Sequence, residues 1–298
     1  MQEFHPELRR LARMLPRTSI TPFTLRFIRA ASKLTGRRPA PGVEVLTLSS
    51  GVRVWLYRPP GATAPTPGLL WIHGGGYMIG SPAQDDALCR RFVRELGATV
   101  VSVDYRLAPE HQYPAPLEDC YSALTWLAGL PAVDPDRIAI GGASAGGGLA
   151  AALALLARDR GEVSLAAQLL AYPMLDDRTA QRDDLDNPGH RLWNDSSNRF
   201  GWAAYLGDAD PDVAVPARRE DLSGLPPTWI GVCTLDLLHD EGLAYAERLR
   251  AAGVSCEVEV VPGGFHGFDS VAPKTKVAQS FFESQCTVLL RAFKSDAA

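Results

Sequence analysis

From residue 68 onward, apolar runs of strand length alternate with longer segments that have the apolar periodicity of helices. Val, Ile and Leu are nearly continuous within the runs, which is typical of parallel strands buried on both faces. The pattern therefore predicts an α/β fold with a mostly parallel central sheet flanked by helices. The predicted strands are residues 68–74, 98–105, 137–142, 166–173, 227–234 and 256–263, and the predicted helices lie near 83–96, 116–129, 145–160, 239–252 and 274–293.

The N-terminal region has a different pattern. Residues 6–15 place apolar side chains at helical spacing, and a second short helix is predicted over residues 21–32, with a proline in its first position. Residues 43–48 and 52–59 then alternate between apolar and polar side chains on either side of a Ser-Ser-Gly turn. This alternation predicts a hairpin that adds an antiparallel edge to the sheet.

One long interval, residues 176–222, interrupts the alternation of strands and helices. It is rich in Asp, Arg and Asn, yet it also carries Trp193, Phe200 and Trp202. A disordered loop and an inserted element both explain such a length. The aromatic residues at helical spacing favour a small helical insertion that covers the sheet.

Charge and composition exclude several classes of function. The formal net charge of −4 gives no reason to expect nucleic acid or an anionic membrane as a partner. No uncharged apolar run approaches the roughly 20 residues of a membrane span, and charges occupy the N-terminal positions where a signal peptide is apolar. We therefore expect a cytoplasmic protein. Its arginine pairs are interpreted as solvated surface: Arg9-Arg10, Arg37-Arg38, Arg90-Arg91 and Arg218-Arg219.

The cysteines predict neither disulfides nor a metal site. There are 5 of them, an odd number, and they are widely spaced with no Cys-x-x-Cys pair. An even number of cysteines is typical of a disulfide framework, and closely spaced cysteine pairs are typical of a zinc site. The cysteine pattern therefore argues against a disulfide framework and against a zinc site.

A glycine-rich motif follows the third predicted parallel strand. Gly142-Ala143-Ser144-Ala145-Gly146 lies where a strand ends and a helix begins. A serine at such a sharp turn adopts a strained backbone that directs its hydroxyl outward, and small neighbours let the turn close. This context predicts Ser144 as a nucleophile. The alternative is a tight glycine turn with an incidental serine.

A second motif, His73-Gly74-Gly75-Gly76, ends the first predicted parallel strand. Backbone N–H groups in such a run can converge on one point and stabilise the negative charge that develops on a carbonyl oxygen in acyl transfer. We expect Gly74, Gly75 and Ala145 to donate these hydrogen bonds. His73 is interpreted as a structural hydrogen-bonding residue at the base of the loop.

A nucleophilic serine requires a base, and three histidines follow Ser144 along the chain. In enzymes built on such a turn, the acid and then the histidine come after the serine. His190 lies in the irregular interval and His239 opens a helix, whereas His266 lies in a loop just beyond the last strand. This position predicts His266 as the base. The alternative is a buried structural histidine.

The acid is expected after the strand at 227–234 and before His266. Asp236, Asp240 and Glu241 all satisfy this order. Asp236 comes first, in the loop, whereas the other two belong to the first turn of the next helix, where the helix dipole explains acidic residues. We therefore predict Asp236 as the partner of His266, with Asp240 as the alternative.

Another group of polar residues has the types that a second acid–base site requires. It comprises Asp104-Tyr105-Arg106, Glu110 and His111, and it is surrounded by prolines. Prolines stiffen turns, and such polar groups often hydrogen-bond within them. The better interpretation is a structural turn.

Five motifs together resemble the hormone-sensitive-lipase-like esterases of the α/β-hydrolase fold, with matching order over about residues 43–293. The motifs are His73-Gly74-Gly75-Gly76, the stretch from Tyr105 to Glu110, Gly142-x-Ser144-x-Gly146, Asp236-x-x-x-Asp240-Glu241-Gly242 and His266-Gly267-Phe268. The resemblance implies a carboxylic ester hydrolase for mostly short acyl chains, without metal or cofactor, and the same Ser144, Asp236 and His266 triad. It also implies a helical cap. The implied division is residues 1–42 (N-terminal helices, part of the cap), 43–175 (first part of the core), 176–222 (cap insertion) and 223–298 (second part of the core).

The sequence departs from the family pattern at two positions. Ala143 stands where the family usually has an acidic or polar residue, and Leu237 stands where it often has proline. Neither change removes a catalytic group, but the first puts local hydrogen bonding at the turn in doubt.

The substrate and the assembly are predicted less directly. The candidate substrate-binding residues are aromatic, and packing between cap and sheet explains them equally well: Tyr77, Trp193, Phe200 and Trp202. A strand at 256–262 on the sheet edge offers a surface for a homodimer.

The sequence as a whole predicts a serine carboxylesterase acting on a small ester. The alternatives are an amidase, a lactonase or a deacetylase with the same triad, and a small-molecule receptor that keeps the pocket without the chemistry. A dinucleotide-binding interpretation of Gly146-x-Gly148-x-x-Ala151 fails, because these glycines lie inside a helix.

Overall fold

The computed structural model describes residues 3–17, 19–35, 39, 41–182, 184–185 and 187–294. At its centre is an 8-stranded sheet. The strands are β1 (Val43–Thr47), β2 (Arg53–Tyr57), β3 (Thr66–Ile72), β4 (Thr99–Asp104), β5 (Val133–Ala143), β6 (Ala167–Ala171), β7 (Thr228–Leu235) and β8 (Cys256–Phe265). Their order across the sheet is β1-β2-β4-β3-β5-β6-β7-β8.

The strand directions confirm the predicted sheet. β1 pairs with β2 and β2 with β4 in antiparallel register, whereas β4, β3, β5, β6, β7 and β8 pair in parallel. The central strands β3, β4 and β6 are almost completely buried, because helices cover both faces of the sheet. Parallel strands end at one edge, so the loops after β3, β5, β7 and β8 lie together there.

Helices cover the two faces of this sheet with separate buried clusters. One cluster joins the sheet to α3 and α10, and the other joins it to α4, α5 and α8. The helices are α1 (Arg9–Met14), α2 (Pro22–Thr35), α3 (Asp86–Leu96), α4 (Ala115–Ala128), α5 (Ala145–Arg160), α6 (Asp195–Leu206), α7 (Pro211–Ala214), α8 (His239–Ala251), α9 (Phe268–Val271) and α10 (Lys276–Ala292).

Helix α3 illustrates how the sequence pattern produces this packing. Its buried residues Cys89, Phe92, Val93 and Leu96 recur at helical spacing and form one face. The ring of Phe92 contacts Trp71 of β3 at 5.3 Å between centroids and also contacts α10. Burying a side chain of this size stabilises the fold by about 1.5–3 kcal/mol.

The interval 176–222 contains helical elements. Besides α6 and α7, it forms short 3-10 helices at Asp177–Gln181 and Pro216–Arg218. Helix α6 begins at an Asn194 cap, whose side chain accepts a hydrogen bond from the Ser197 amide at 3.0 Å. The Ser197 hydroxyl in turn accepts a hydrogen bond from the Ile20 amide at 2.8 Å. The N-terminal segment and this interval are therefore hydrogen-bonded to each other.

Several boundaries differ from the predicted ones. Helix α1 begins at Arg9, three residues later than predicted, and ends at Met14, because Leu15 is extended and Pro16 follows. The four-residue helices α7 and α9 were not predicted, because each is too short to show an apolar periodicity. The predicted surface pair Arg37-Arg38 lies outside the described residues.

Two features are absent from the described residues. No helix there combines the length and the apolar character needed to cross a bilayer. In the same ranges, no three side chains of His, Cys, Asp or Glu form a cluster fit to hold a metal ion.

Candidate active site

Ser144 lies at the sharp turn between β5 and α5. Its φ of 58° and ψ of −123° are unusual for a residue with a side chain, and such a conformation costs about 1–3 kcal/mol. The glycines on either side permit the turn: a Cβ on Gly146 would lie 2.1 Å from the Ile72 carbonyl oxygen, and one on Gly142 would lie 2.3 Å from the Gly146 carbonyl oxygen. The surrounding structure therefore imposes the strained conformation that exposes the hydroxyl.

Backbone hydrogen bonds hold this turn in place. The Ser144 amide donates to the Ala171 carbonyl at 2.9 Å, and the Ser144 carbonyl accepts from the Met174 amide at 3.0 Å. Ala143, which departs from the family pattern, pairs with Ala171 in the β5–β6 register. The backbone hydrogen bonds of the turn are therefore formed with alanine at position 143.

A continuous hydrogen-bonded chain joins the three predicted catalytic residues. The Ser144 Oγ lies 2.8 Å from His266 Nε2, and His266 Nδ1 lies 2.7 Å from Asp236 Oδ2. The other carboxylate oxygen of Asp236 accepts from the Leu238 amide at 3.0 Å. All three residues are buried. The geometry allows His266 to take a proton from the serine while Asp236 holds the other ring nitrogen protonated.

Aromatic rings surround the imidazole of His266. Tyr172 contacts its edge, with 4.9 Å between ring centroids, and Trp193 lies 6.3 Å away. The Tyr172 hydroxyl donates to Asp269 Oδ1 at 2.7 Å, and burial raises the pKa of Asp269. This buried Tyr172–Asp269 pair was not predictable from the sequence, since neither residue belongs to a motif with a known chemical role.

The predicted oxyanion amides lie beside the serine. A Cβ on Gly74 would lie 3.2 Å from Ser144 Cβ and 2.8 Å from the Ala143 carbonyl, so this loop packs directly against the turn. Gly75 has a φ of 127°, and a Cβ there would lie 2.0 Å from the Ile79 carbonyl oxygen. Among the described loops, no hydrogen bond starts from the amides of Gly74, Gly75 or Ala145. These donors are therefore available to an oxygen atom bound near Ser144.

His73 supports the base of this glycine loop. Its ring is fully buried, stacks on Tyr105 at 4.3 Å between centroids, and places Nδ1 2.9 Å from the Gly74 carbonyl oxygen. Burial lowers the pKa of His73 to about 4, because the charged form loses its hydration. A neutral, buried ring with these contacts agrees with the structural interpretation of this histidine.

The polar turn after β4 is likewise held by structural contacts. Arg106 forms an ion pair with the buried Asp119 at 2.7 Å, and Glu110 binds Arg29 of α2 at 2.6 Å. The Arg29 Nε also donates to the Met78 carbonyl at 2.8 Å, just after the glycine loop. These contacts agree with the prediction of a structural turn rather than a second acid–base site.

The two alternative acids have other surroundings. The Asp240 side chain is 71% exposed and lies 2.8 Å from His239 Nδ1. Glu241 is buried and accepts hydrogen bonds from the Leu175 amide at 2.7 Å and from the Thr179 hydroxyl. The helix dipole alone was the predicted explanation for Glu241. The structure adds a second one, since this carboxyl anchors the start of the 176–222 interval to α8.

Burial raises the pKa of Glu241 from 4.5 to about 8, although hydrogen bonds from Thr179 and Leu175 oppose the shift. Its folded-state pKa exceeds its unfolded value, so the folded chain retains a proton that the unfolded chain releases. The contribution of this carboxyl to the free energy of unfolding is therefore fully present below about pH 4 and is lost as pH rises through about 8.

We expect Glu241→Gln to become more stable relative to the wild type as pH rises from about 5 to about 8. A neutral amide keeps an acceptor for the Leu175 amide and carries no charge to be desolvated. The measurement is the difference in Tm between variant and wild type at several pH values. Glu247→Gln, at an exposed position of the same helix, is the matched control. A Tm difference for Glu241→Gln that does not change with pH would contradict the role given to burial.

The predicted substrate-binding aromatics occupy two different environments. The edge of the Trp193 ring would meet a Cβ on Gly76 at 2.2 Å, so this ring covers the glycine loop. Its Nε1 donates to Asn198 Oδ1 at 3.1 Å, which fixes its orientation. Phe200 is partly buried against the same core. Trp193 is thus placed beside both His266 and the glycine loop at Gly76.

Tyr77 and Trp202 lie in the layer between α6 and the sheet. Tyr77 stacks on Tyr205 at 4.0 Å between centroids, lies 5.4 Å from Trp202, and donates its hydroxyl to the Met174 carbonyl at 3.2 Å. Both side chains are almost completely buried. Packing accounts for their positions, and a role in substrate binding stays a prediction for both.

A polar cavity of about 820 Å³ borders Asp236 but neither Ser144 nor His266. Three segments form it: the N-terminal residues around Arg9, residues 184–185 with 187–190, and the loop from Thr234 to Asp240. The cavity could not be predicted from the sequence, because its walls come from parts of the chain that carry no motif. Because the predicted nucleophile Ser144 does not line it, this cavity is not assigned to the predicted ester substrate.

A serine, a histidine and an aspartate joined at the carboxyl edge of this sheet define an α/β hydrolase with a nucleophile turn. A protein-family model described as alpha/beta hydrolase fold matches residues 69–270. The chain belongs to this family, and its relatives confirm the resemblance to the hormone-sensitive-lipase-like carboxylesterases.

Two relatives from Mycobacterium tuberculosis have related sequences. The chain is 40% identical to the carboxylesterase NlhH over 232 residues, which is 74% of this chain and 72% of NlhH. It is 42% identical to the carboxylic ester hydrolase LipN over 226 residues, which is 71% of this chain but 59% of LipN. Among solved structures, a bacterial heroin esterase superposes with a TM-score of 0.87 and 39% identity, covering 98% of both chains.

Proposed function

We propose that the protein is a serine carboxylesterase that hydrolyses short- to medium-chain carboxylic esters through an acyl-enzyme on Ser144. One observation carries the proposal: the hydrogen-bonded chain from Ser144 through His266 to Asp236, beside three amides without a partner in the described loops. The relatives named as ester hydrolases support it.

In the acylation step, His266 Nε2 takes the proton of the Ser144 hydroxyl while Oγ attacks the ester carbonyl carbon. Asp236 accepts the hydrogen bond of His266 Nδ1–H, which selects the tautomer with a free Nε2 and stabilises the imidazolium. The carbonyl oxygen becomes an anion in the tetrahedral intermediate. The amides of Gly74, Gly75 and Ala145 are proposed to stabilise this charge, because they are fixed before the reaction begins.

The intermediate then collapses and the alcohol leaves. His266 returns its proton to the leaving oxygen, so the ester bond breaks without releasing an alkoxide. Water attacks the acyl-enzyme in the same way: His266 removes its proton, a second tetrahedral intermediate forms, and Ser144 leaves with the proton. The products are a carboxylic acid and an alcohol, and the chain needs no cofactor for either step.

The remaining assignments extend this proposal to the whole chain. We assign substrate contacts to Trp193 above all, and also to Tyr77, Phe200 and Trp202. A bulky ring at 6.3 Å from His266 supports a preference for short acyl groups. The Ile20–Ser197 hydrogen bond supports a cap built from residues 1–42 and 176–222 on a core of 43–175 and 223–298.

Location and assembly are also proposals. The absence of a bilayer-length helix in the described ranges is compatible with a cytoplasmic location. Strand β8 lies at one edge of the sheet, which leaves one side of its backbone available for pairing with a second copy in a homodimer.

The proposal predicts a decline in activity along a series of p-nitrophenyl esters from acetate to palmitate. We expect the highest kcat/KM with the short and medium acyl chains, because Trp193 restricts the space beside the nucleophile. Hydrolysis is followed by nitrophenolate release, with p-nitroacetanilide as the amide control. A folded protein that hydrolyses none of the esters would contradict the proposal and favour a receptor. Faster turnover of the anilide would favour an amidase.

The oxyanion assignment predicts that Gly75→Ala lowers kcat by about 10²- to 10³-fold. A side chain cannot fit at this position, because φ is 127° and the Cβ would meet the Ile79 carbonyl at 2.0 Å. The loop must therefore shift and its amide must leave the site. Gly97→Ala is the control, since its φ is also positive but nothing lies within 4 Å of the added Cβ. Equal losses of kcat in both variants, with equal Tm, would contradict the assignment.

A further inference from the structure

The N-terminal segment is strongly basic within an acidic protein. Residues 8–43 contain nine Lys and Arg residues and not a single Asp or Glu. Because the whole chain carries a net charge of −4, the residues outside this segment carry −13. Such a charge asymmetry indicates an anionic partner for the segment. The overall net charge conceals it.

Helix α2 adds an exposed aromatic surface to this charge. Phe23 and Phe27 are 64% and 55% exposed, although large apolar side chains are usually buried. Their ring centroids are 5.1 Å apart, and the guanidinium of Arg26 lies 4.6 and 4.9 Å from the two rings. The three side chains therefore form one outward surface, called here the α2 patch. The opposite side of the helix is anchored by the buried Leu25.

Other exposed side chains of the N-terminal segment are also apolar or basic. Met14 of α1 is 73% exposed, and Arg10 and Arg13 on that helix are also exposed. In the described part of the chain, Arg10, Arg13 and Arg26 form no ion pair, whereas Arg29 is bound by Glu110. Two of the arginine pairs that the sequence analysis interpreted as scattered surface, Arg9-Arg10 and Arg37-Arg38, belong to this one segment.

A second copy of the chain is a poor match for the α2 patch, because two segments of nine positive charges would face each other across the contact. An anionic lipid surface fits better. Phenylalanines insert into the boundary between headgroups and acyl chains, while arginines bind the phosphate and carboxylate groups above it. Aromatic and basic side chains on one helical surface are the combination that such a boundary selects.

We propose that the α2 patch docks the protein onto anionic lipid surfaces, with Phe23 and Phe27 inserted and Arg26 bound to headgroups, while the net positive charge of residues 8–43 adds to the attraction. Helix α2 then lies on the membrane as a peripheral element and does not cross it. This proposal departs from the expectation of no membrane partner, which rested on the net charge of the whole chain. It does not depend on the proposed esterase activity.

The test is co-sedimentation of the full chain with vesicles of phosphatidylcholine alone or mixed with phosphatidylserine. At about 0.1 M salt, we expect at least roughly tenfold more protein bound to the anionic vesicles. At about 1 M salt, where the Debye length falls to about 3 Å, most of this excess is lost. Phe23→Ser with Phe27→Ser, and separately Arg26→Glu, each lower the binding severalfold. Val213→Ser, at another exposed apolar position, and Arg94→Glu, at another exposed basic position, leave it unchanged.

Each opposite outcome overturns the proposal. Equal binding to neutral and anionic vesicles, or no binding to either, would show that the protein does not recognise anionic lipids. If the α2 variants still bind anionic vesicles as strongly as the wild type, the lipid-binding site lies outside the α2 patch. A wild-type dimer in size-exclusion chromatography that the phenylalanine variants dissociate, without vesicle binding, assigns the patch to a second copy. The Tm of each variant is measured beside the wild type, and a variant with a lowered Tm is replaced by Phe27→Ser alone.

Discussion

Replacing Ser144 with alanine is expected to lower kcat for ester hydrolysis by about 10⁴-fold or more, with Tm unchanged. In the proposed mechanism the hydroxyl oxygen of Ser144 forms the acyl-enzyme, and no other described hydroxyl group is hydrogen-bonded to His266 Nε2. Alanine adopts the same strained φ of 58° at no greater cost than serine, so the turn is retained. The measurement is p-nitrophenyl acetate hydrolysis with purified wild type and variant.

The control for this substitution is Ser122→Ala, which removes a hydroxyl from helix α4. We expect its kcat to equal that of the wild type. If Ser144→Ala keeps more than about a tenth of the wild-type rate, an acyl-enzyme on Ser144 is not the main route of hydrolysis. The small rate that remains in the variant is attributed to the amides, which still stabilise an oxyanion formed by direct attack of water.

Asp236→Asn is expected to lower kcat by about 10⁴-fold while the hydrogen-bonding network remains. Asparagine retains an oxygen that accepts from the Leu238 amide, but it presents an N–H group to His266 Nδ1. The imidazole then places its proton on Nε2 and cannot accept the proton of Ser144. The expected loss of kcat therefore arises from the wrong tautomer of His266 and not from a displacement of its ring.

The matched control is Asp240→Asn, four residues further along the chain. This carboxylate was the alternative acid in the sequence, and it is mostly exposed and paired with His239. We expect less than a twofold change in kcat. A large loss for Asp240→Asn together with a small loss for Asp236→Asn would reverse the assignment of the acid.

The sheet and the residues of the hydrogen-bonded chain Ser144, His266 and Asp236 were predictable from patterns in the sequence. Continuous Val, Ile and Leu runs identified the buried strands, and the small residues around Ser144 identified the turn. The close contacts of Gly142 and Gly146 with neighbouring carbonyl oxygens explain why larger residues cannot occur there. Chain order then selected His266 and Asp236 without knowledge of any distance.

Other features depend on contacts between distant parts of the chain. The buried Glu241 binds the 175–179 segment, more than sixty residues earlier, so its helix position alone suggested a simpler role. Tyr172 and Asp269 meet only in the folded chain. Arg29 of α2 bonds to Met78 and Glu110, which lie 49 and 81 residues further along the chain. Helix α2 carries apolar side chains that the sequence pattern does not separate into buried and exposed ones. Only the structure shows that Leu25 is buried while Phe23 and Phe27 are exposed.

Covalent labelling of the nucleophile tests the central claim most directly. The protein is treated with a p-nitrophenyl alkylphosphonate, and its intact mass and peptide map are then measured. A reactive Ser144 predicts one phosphonyl group per chain, located on the peptide that contains Ser144, with one equivalent of nitrophenolate released. The Ser144→Ala variant remains unlabelled. A wild-type protein that stays unmodified, or that carries the group on another residue, would contradict the account.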